Sequence, residues 1–211
     1  MTIEAVIFDL DGVIVSTDQL HYQAWKAVAD QEKIDFDQTI NNRLRGVSRM
    51  ESLEIILEKA SKTYSESEKV ALATQKNSIY VQLLSSLTPE NTLPGVIDTL
   101  KYLKRHHFKT AIGSSSKNSK RILTQIGLID AFDTIVDGND IVRSKPDPEV
   151  FLKAASRLGV EPAHCLVVED AVAGITAAIN GGMNAFAVGD AKTCRLATYH
   201  GESVIDILLI I

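Results

Sequence analysis

Residues 5–14 read AVIFDLDGVI, which is four apolar residues, two aspartates on either side of a leucine, and then a glycine. The apolar run predicts a buried strand. In an extended chain Asp9 and Asp11 are two residues apart and face the same way. Such a pair can carry out chemistry, although Asp-Gly after a strand is also an ordinary turn. The other strand ends are needed to choose between these interpretations.

Four more apolar runs have the composition of buried strands, and most are separated by segments with helical spacing. They are Thr110–Gly113, Thr134–Val136, Cys165–Val168 and Ala185–Val188. Helical faces are formed by Val96, Leu100 and Leu103, and by Val150, Phe151, Ala154 and Leu158, with Asp147-Pro148 as a helix start. Buried strands that alternate with helices predict an α/β fold, a Rossmann-like parallel sheet covered by helices on both faces.

Residues 16–92 interrupt this alternation, because their pattern is helical almost throughout and contains no convincing strand. The chain returns to the sheet pattern at Leu93-Pro94-Gly95. We therefore predict an α/β catalytic core formed by residues 1–15 and 93–211, and an inserted α-helical cap domain with its linkers at 16–92. Ligands of such sheets bind at the carboxyl ends of the strands.

Composition narrows the possible partners of the chain. It has 211 residues with a net charge of −5, whereas nucleic-acid binding needs a basic face. No apolar run approaches the ~20 residues that cross a bilayer, and the short apolar start carries Glu4, unlike a signal peptide. Cys165 and Cys194 lack metal or redox spacing. We expect a cytoplasmic monomer that acts on a small molecule, with neither nucleic acid nor a membrane as partner.

Polar residues follow three further predicted strands. Hydroxyls and amides at a helix start, as in Ser114–Asn118, suit a phosphoryl group, although a serine-rich loop with a helix cap would look the same. Lys145 precedes a proline-started helix and could place a positive charge on a phosphoryl group, or could simply face water. Glu169 and Asp170 offer oxygen ligands to Mg²⁺, while Asp170 could also be a helix N-cap.

These four clusters, taken in order, resemble the haloacid dehalogenase superfamily over residues 5–188. The resemblance implies that Asp9 is the nucleophile and Asp11 its partner acid and base, with Ser114 and Lys145 completing the catalytic set. Because dehalogenases of this superfamily lack the second aspartate, Asp11 indicates phosphoryl transfer. The resemblance also implies Mg²⁺, held by Asp9, the backbone carbonyl of Asp11, Glu169 and Asp170.

Within the superfamily, the helical segment resembles that of the sugar phosphomutases. The segments that carry the likeness are Thr17-Asp18 with His21 and Trp25, residues 44–49, Glu51-Ser52-Leu53 and Lys76-Asn77. This likeness implies that Asp9 is phosphorylated by β-glucose 1,6-bisphosphate, which acts as the primer. The phosphoryl group then passes to β-glucose 1-phosphate, and glucose 6-phosphate is released.

The same likeness implies a second set of substrate-binding residues. Arg49, together with Ser116, Lys117 and Asn118, would hold the non-reacting phosphate, and His21 would help to position Asp11. The remaining predicted contacts to the sugar, its phosphate or the closed cap are Thr17, Trp25, Gly46, Val47, Ser52, Lys76 and Ser115. His21 and Trp25 could instead only pack on one helical face, and Arg49 and Lys76 could be solvated charges.

Two departures from the family pattern stand out. Gly113 replaces the alanine that usually precedes the serine run, and the chain after Gly189 is polar and irregular. Two rival functions remain open. One is a sugar-phosphate phosphatase that admits water to the aspartyl phosphate, and the other is a sugar-phosphate sensor without catalysis.

Overall fold

The computed structural model describes residues 2–44 and 47–211. The chain divides into two compact units. The larger unit contains the chain up to Ser16 together with Leu87–Ile211, and it holds the sheet. The smaller unit, Thr17–Ser86, is helical.

The secondary structure alternates in the larger unit and is helical in the smaller one. The strands are β1 Ala5–Phe8, β2 Lys109–Gly113, β3 Thr134–Val136, β4 Cys165–Glu169, β5 Asn184–Ala187 and β6 Tyr199–His200. The helices of the smaller unit are α1 Asp18–Gln31, α2 Gln38–Asn42, α3 Arg49–Leu57 and α4 Glu66–Leu83. Those of the larger unit are α5 Val96–Arg105, α6 Ser119–Gln125, α7 Glu149–Leu158 and α8 Val172–Asn180.

The six strands form one parallel sheet in the order β3-β2-β1-β4-β5-β6. The residues of β1, β4 and β5 are all buried, as expected for parallel strands covered on both faces. The predicted fold class is confirmed, and the five predicted strands are present with bounds shifted by no more than one residue. Phe8 of β1 pairs with Ile112 and with Val168, so the ends of these three strands are aligned.

Helix α7 covers the sheet with the apolar face predicted from its spacing. Val150, Phe151, Ala154 and Leu158 are all buried. The helix begins one residue later than predicted, because Pro148 is the N-cap, while the Asp147 carboxylate still accepts a hydrogen bond from the backbone N–H of Glu149 at 3.0 Å.

The sheet ends in a strand that the sequence did not reveal. Tyr199 and His200 form β6 beside β5, within a stretch that we predicted to be irregular. A two-residue strand is too short to leave an alternating pattern. The apolar run at the end of the chain, Val204–Leu209, forms a 3₁₀ helix in which Val204 and Ile207 are buried, whereas Leu209 is 84% exposed.

The helical unit has a core of its own. Trp25, Val28, Leu53, Ile56 and Leu72 belong to one buried cluster that joins α1, α3 and α4. Helices α3 and α4 each begin with a capping box, formed by Ser48 with Glu51 and by Ser65 with Glu68. None of the helices in the described ranges combines the length and apolar content that crossing a membrane requires.

Candidate active site

The end of β1 places Asp9 at the carboxyl edge of the sheet. Its backbone N–H donates to the carbonyl oxygen of Val168 at 2.9 Å, which continues the pairing of β1 with β4. Only 8% of Asp9 is exposed. Asp11 follows at an isolated bridge with Val15, where the chain turns through Gly12 at a φ of 84°. The Asp-Gly pair therefore does form a turn, and the catalytic roles of Asp9 and Asp11 stay predictions.

The side chain of Lys145 forms a hydrogen bond with the Asp9 carboxylate. Its Nζ donates to Oδ1 of Asp9 at 2.5 Å and to Oε1 of Glu169 at 2.6 Å. The Lys145 side chain is 8% exposed, so the alternative that it simply faces water is wrong, while its action on a phosphoryl group stays a prediction. Burial alone lowers the pKa of Lys145, but the charges of Asp9 and Glu169 outweigh burial and raise it above its usual range. Lys145 therefore stays a cation.

The segment that carries Lys145 is fixed by the first residue of α7. The Glu149 carboxylate accepts backbone hydrogen bonds from Val142 at 3.2 Å and from Arg143 at 2.9 Å. It also accepts from Nζ of Lys153 at 2.6 Å. The hydrogen bond from Lys153, followed by that from the Arg143 backbone, lowers the pKa of Glu149 to about 2. The carboxylate is thus ionised and holds the loop to the helix at neutral pH.

Glu169 and Asp170 lie at the end of β4, and close-packed glycines make room for both. A Cβ on Gly174 would lie 1.8 Å from Oε1 of Glu169, and one on Gly12 would lie 1.9 Å from Oδ2 of Asp170. The other Glu169 oxygen accepts from the backbone N–H of Ala171 at 2.8 Å. Ala171 is the N-cap of α8, so the alternative reading of Asp170 as the N-cap is wrong.

Negative charge accumulates at this edge of the sheet. Burial, and then the charges of Glu169, Asp9 and Asp11, raise the pKa of Asp170 to about 8. Burial also raises the pKa of Glu169, against the opposite effect of Lys145. Carboxylates that repel one another in a buried setting are the all-oxygen donor set that Mg²⁺ prefers.

The predicted metal ligands therefore fit Mg²⁺ in their chemistry. Among the described residues, no group of three or more His, Cys, Asp or Glu side chains is arranged closely enough to hold a metal ion. Glu169 instead has both carboxylate oxygens engaged, by Lys145 and by Ala171. The metal-binding role of Asp9, Asp11, Glu169 and Asp170 stays a prediction.

The serine run after β2 forms a compact turn. Ser114 is buried, and its hydroxyl accepts from the backbone N–H of Ser116 at 3.2 Å. The Ser116 hydroxyl in turn accepts from the backbone N–H of Asn118 at 3.2 Å. Ser115 and Lys117 are exposed. Helix α6 begins at Ser119, directly after the stretch Ser114–Asn118 that was predicted to hold the helix start, with no side-chain cap at Asn118.

A second polar cluster lies inside the helical unit. Nζ of Lys76 lies 2.6 Å from Nδ1 of His21, although only 2% of Lys76 is exposed. The Lys76 ammonium also lies over the rings of Tyr80, at 4.6 Å, and Trp25, at 5.1 Å. His21 stacks on Tyr80, and the Tyr80 hydroxyl donates to the Thr17 hydroxyl at 2.9 Å. Lys76 is therefore a buried cation rather than a solvated charge.

The charge state of His21 follows from this cluster. Burial first, and then the positive charges of Lys76 and Arg49, hold the pKa of His21 well below its ordinary value. His21 is neutral as a result, and since an ammonium can only donate, its Nδ1 accepts from Lys76. The histidine proton then resides on Nε2.

The remaining predicted residues of the helical unit are near the start of α3. Arg49 donates to the side-chain oxygen of Asn77 at 2.8 Å, and burial lowers its pKa. Ser52 is buried, whereas Val47 is 39% exposed. Gly46 lies outside the described residues.

The structure adds partners to which no role was assigned from the sequence. Tyr80 contacts three predicted residues, and Asn77 holds Arg49. Phe151 of α7 lies beneath the ammonium of Lys145 at 4.6 Å from ring centroid to Nζ. Tyr80 lies four residues after Lys76 on α4, so helical spacing could have indicated that pair. No such signal links Phe151 to Lys145, because Phe151 reads as a core residue.

Known proteins resemble the chain along most of its length. The family model of haloacid dehalogenase-like hydrolases matches residues 3–182. The β-phosphoglucomutase of Bacillus subtilis strain 168 is 47% identical over 191 residues, which is 90% of this chain and 84% of that protein. The phosphorylated carbohydrates phosphatase of Thermotoga maritima is 33% identical over 183 residues, 85% of this chain and 82% of that protein.

One solved structure agrees with these similarities. The crystal structure of β-phosphoglucomutase from Clostridium difficile superimposes with a TM-score of 0.89 at 41% identity. The match covers 98% of this chain and 93% of that one.

Proposed function

The chain belongs to the haloacid dehalogenase-like hydrolase family, and on this basis we propose that it is a β-phosphoglucomutase. The reaction is the interconversion of β-D-glucose 1-phosphate and glucose 6-phosphate, with β-glucose 1,6-bisphosphate as primer and intermediate. The resemblance at 47% identity to a mutase, against 33% to a carbohydrate phosphatase, supports this choice of activity.

One observation carries the chemistry. The ammonium of Lys145 contacts the Asp9 carboxylate at 2.5 Å, at the point where β1 ends. A carboxylate that attacks a phosphate ester meets electrostatic repulsion, and a fixed cation beside it reduces that repulsion. In the Asp9–Lys145 pair, Asp9 can therefore act as the nucleophile while Lys145 offsets the negative charge.

Asp9 forms the new bond in the first half of the proposed reaction. Its carboxylate oxygen attacks phosphorus of the bisphosphate, and the bond from phosphorus to the sugar oxygen breaks. Asp11 donates a proton to the departing sugar oxygen. In the second half, Asp11 removes a proton from the attacking sugar hydroxyl, which takes the phosphoryl group from Asp9. Ser114 is proposed to hold the transferring phosphoryl group.

Mg²⁺, which members of this family generally use, would offset the charge of the phosphoryl group when bound. Asp9, Glu169, Asp170 and the backbone carbonyl of Asp11 are the residues proposed to hold it. Burial and, after it, repulsion from Glu169, Asp9 and Asp11 raise the pKa of Asp170, and a bound cation would offset both effects.

The helical unit is proposed to bind the rest of the substrate. The half-buried guanidinium of Arg49 suits the non-reacting phosphate, because its fork of N–H groups matches phosphate oxygens. The serine turn and Lys117 with Asn118 are proposed to assist it. Lys76 has the buried ammonium and the aromatic neighbours suited to a sugar hydroxyl, with Thr17, His21 and Trp25 around it.

The second candidate is a sugar-phosphate phosphatase, favoured by the similarity to the Thermotoga phosphatase. It would use the same Asp9 chemistry but transfer the phosphoryl group to water. A sensor without catalysis would have no use for the fixed Asp9–Lys145 pair.

One assay separates these functions. The protein receives Mg²⁺, β-glucose 1-phosphate and a trace of glucose 1,6-bisphosphate, and glucose 6-phosphate and free phosphate are followed together. We expect glucose 6-phosphate to dominate, and no turnover with α-glucose 1-phosphate or with EDTA. Dominant release of free phosphate would replace the mutase with the phosphatase, and the absence of both products would support the sensor. Asp9→Asn should be inactive, while the exposed Asp98→Asn is the matched control.

A further inference from the structure

The ammonium of Lys145 has an aromatic neighbour as well as its two carboxylates. Its Nζ lies over the ring of Phe151, 4.6 Å from the centroid. Phe151 is fully buried in the first turn of α7, two residues after Glu149, whose carboxylate fixes the lysine loop. One helix therefore holds the backbone of the loop and supplies the surface on which its lysine lies.

Gly113 makes room for this ring. A Cβ built on Gly113 would lie 2.7 Å from Cδ1 and 2.9 Å from Cε1 of Phe151. Gly113 is the last residue of β2, and the strand has no positive φ there that would itself require glycine. The missing side chain is thus explained by the ring, which occupies the space at the end of the strand.

The Phe151 ring meets the Lys145 ammonium in a buried setting, where the attraction between a ring face and a cation is strong. The attraction between an ammonium and an aromatic face is stronger in desolvated settings, and Lys145 is desolvated. An ammonium has three N–H donors, and two of them reach Asp9 and Glu169. An aliphatic side chain at position 151 would fill space but would not attract the charge.

We propose that Phe151 is a positioning residue for Lys145, and that Gly113 is required for Phe151 to reach it. The π face keeps Nζ against the Asp9 carboxylate, so that the cation is in place when Asp9 attacks. This inference rests on the proposed phosphoryl transfer at Asp9. Phe151 itself forms no bond to the reacting atoms.

The test weakens the π face without changing the shape of the side chain. Phenylalanine at position 151 is replaced by its 4-fluoro, 3,5-difluoro and 3,4,5-trifluoro analogues at that single site. Phosphorylation of Asp9 by acetyl phosphate with Mg²⁺ is then followed in single turnover. We expect the rate at saturation to fall stepwise, by about tenfold over the series, which equals ~1.4 kcal/mol. The concentration for half-saturation should stay constant, because Phe151 does not bind the donor.

The same fluorinated series at Phe186, a buried ring on β5, is the matched control. A flat series at position 151, or an equal decline at position 186, would overturn the proposal. Phe151→Leu gives a second variant that keeps an apolar side chain, and it should lose rate at least as much as the trifluoro analogue.

A spectroscopic measurement tests the contact between Phe151 and Lys145 independently of the proposed function. The ¹H–¹⁵N signal of the Lys145 ammonium should carry a ring-current shift that Phe151→Leu removes and Phe186→Leu retains. If the unsubstituted protein forms no phosphate on Asp9, the proposed function fails, and the ammonium signal still tests the contact. If the signal of Lys145 does not move in Phe151→Leu, the positioning role is wrong whatever the activity.

Discussion

Nζ of Lys76 lies 2.6 Å from Nδ1 of His21, so a cation adds to the effect of burial in keeping this histidine neutral. Burial, Lys76 and Arg49 all disfavour protonation of this ring, and they hold its pKa well below the ordinary value. The histidine is thereby linked to the stability of the helical unit. Trp25, the single tryptophan of the chain, belongs to the same cluster and reports on its unfolding.

The first prediction concerns pH. Because the folded pKa of His21 is lowered, the stability it contributes is present above its unfolded pKa of ~6.5 and is lost as the pH falls. Between pH 8 and pH 5.5, the free energy of unfolding of the wild type should fall by about 1.4 kcal/mol more than that of His21→Gln. Urea unfolding followed by Trp25 fluorescence measures it. The exposed His106→Gln should follow the wild type, and parallel curves for His21→Gln would contradict the assignment.

The ion pairs of Lys145 predict a coupled loss of stability. Lys145→Met leaves Asp9 and Glu169 buried without their shared cation, which should cost about 3–5 kcal/mol of unfolding free energy. Adding Glu169→Gln to that variant removes one of the two uncompensated charges. The double variant should therefore be more stable than the sum of the two single losses, as measured by urea unfolding in EDTA. Simple additivity would mean that the pair is not coupled.

Asp11 can be tested through the leaving group. Asp11→Asn should slow phosphoryl transfer from β-glucose 1,6-bisphosphate about 10²–10⁴-fold, because the sugar oxygen must leave with a proton. Acetyl phosphate releases a carboxylate that needs no proton, so phosphorylation of Asp9 by this donor should be far less affected. Mass spectrometry of the phosphorylated protein compares the two donors. Equal losses with both would assign Asp11 to binding rather than to proton transfer.

The close approach of Gly113 and Phe151 predicts a double-mutant cycle. Gly113→Ala would relieve the entropic cost of glycine in a strand, roughly 0.5–1 kcal/mol, but it brings a Cβ within 2.7 Å of the ring. Overpacking of this kind costs about 1–3 kcal/mol, so the variant should be less stable. In a Phe151→Leu background the same alanine should be tolerated. Thermal unfolding of the four proteins measures the coupling, and an unchanged effect of Gly113→Ala would contradict it.

The core strands could be predicted from the sequence because each is a short, continuous apolar run. Five of them were predicted to within one residue at each end, and the residues that follow β1, β2 and β4 do lie at the carboxyl edge of one parallel sheet. Strand β6 could not be predicted, since two residues carry no periodic signal. The alternative that Asp170 is a helix N-cap was wrong, because a carboxylate after a strand is equally typical of a cap and of a metal ligand.

The sequence by itself determined the alternating α/β core, the helical insert and the family, since these depend on local patterns and short motifs. Only the tertiary structure decided which polar side chains pair. Lys145 meets Asp9 across 136 residues, and Lys76 meets His21 across 55, so no local spacing records either contact. The fit of Phe151 against Gly113 is of the same kind. Such contacts follow from how buried strands and helices pack, and burial then fixes the protonation of the groups that meet.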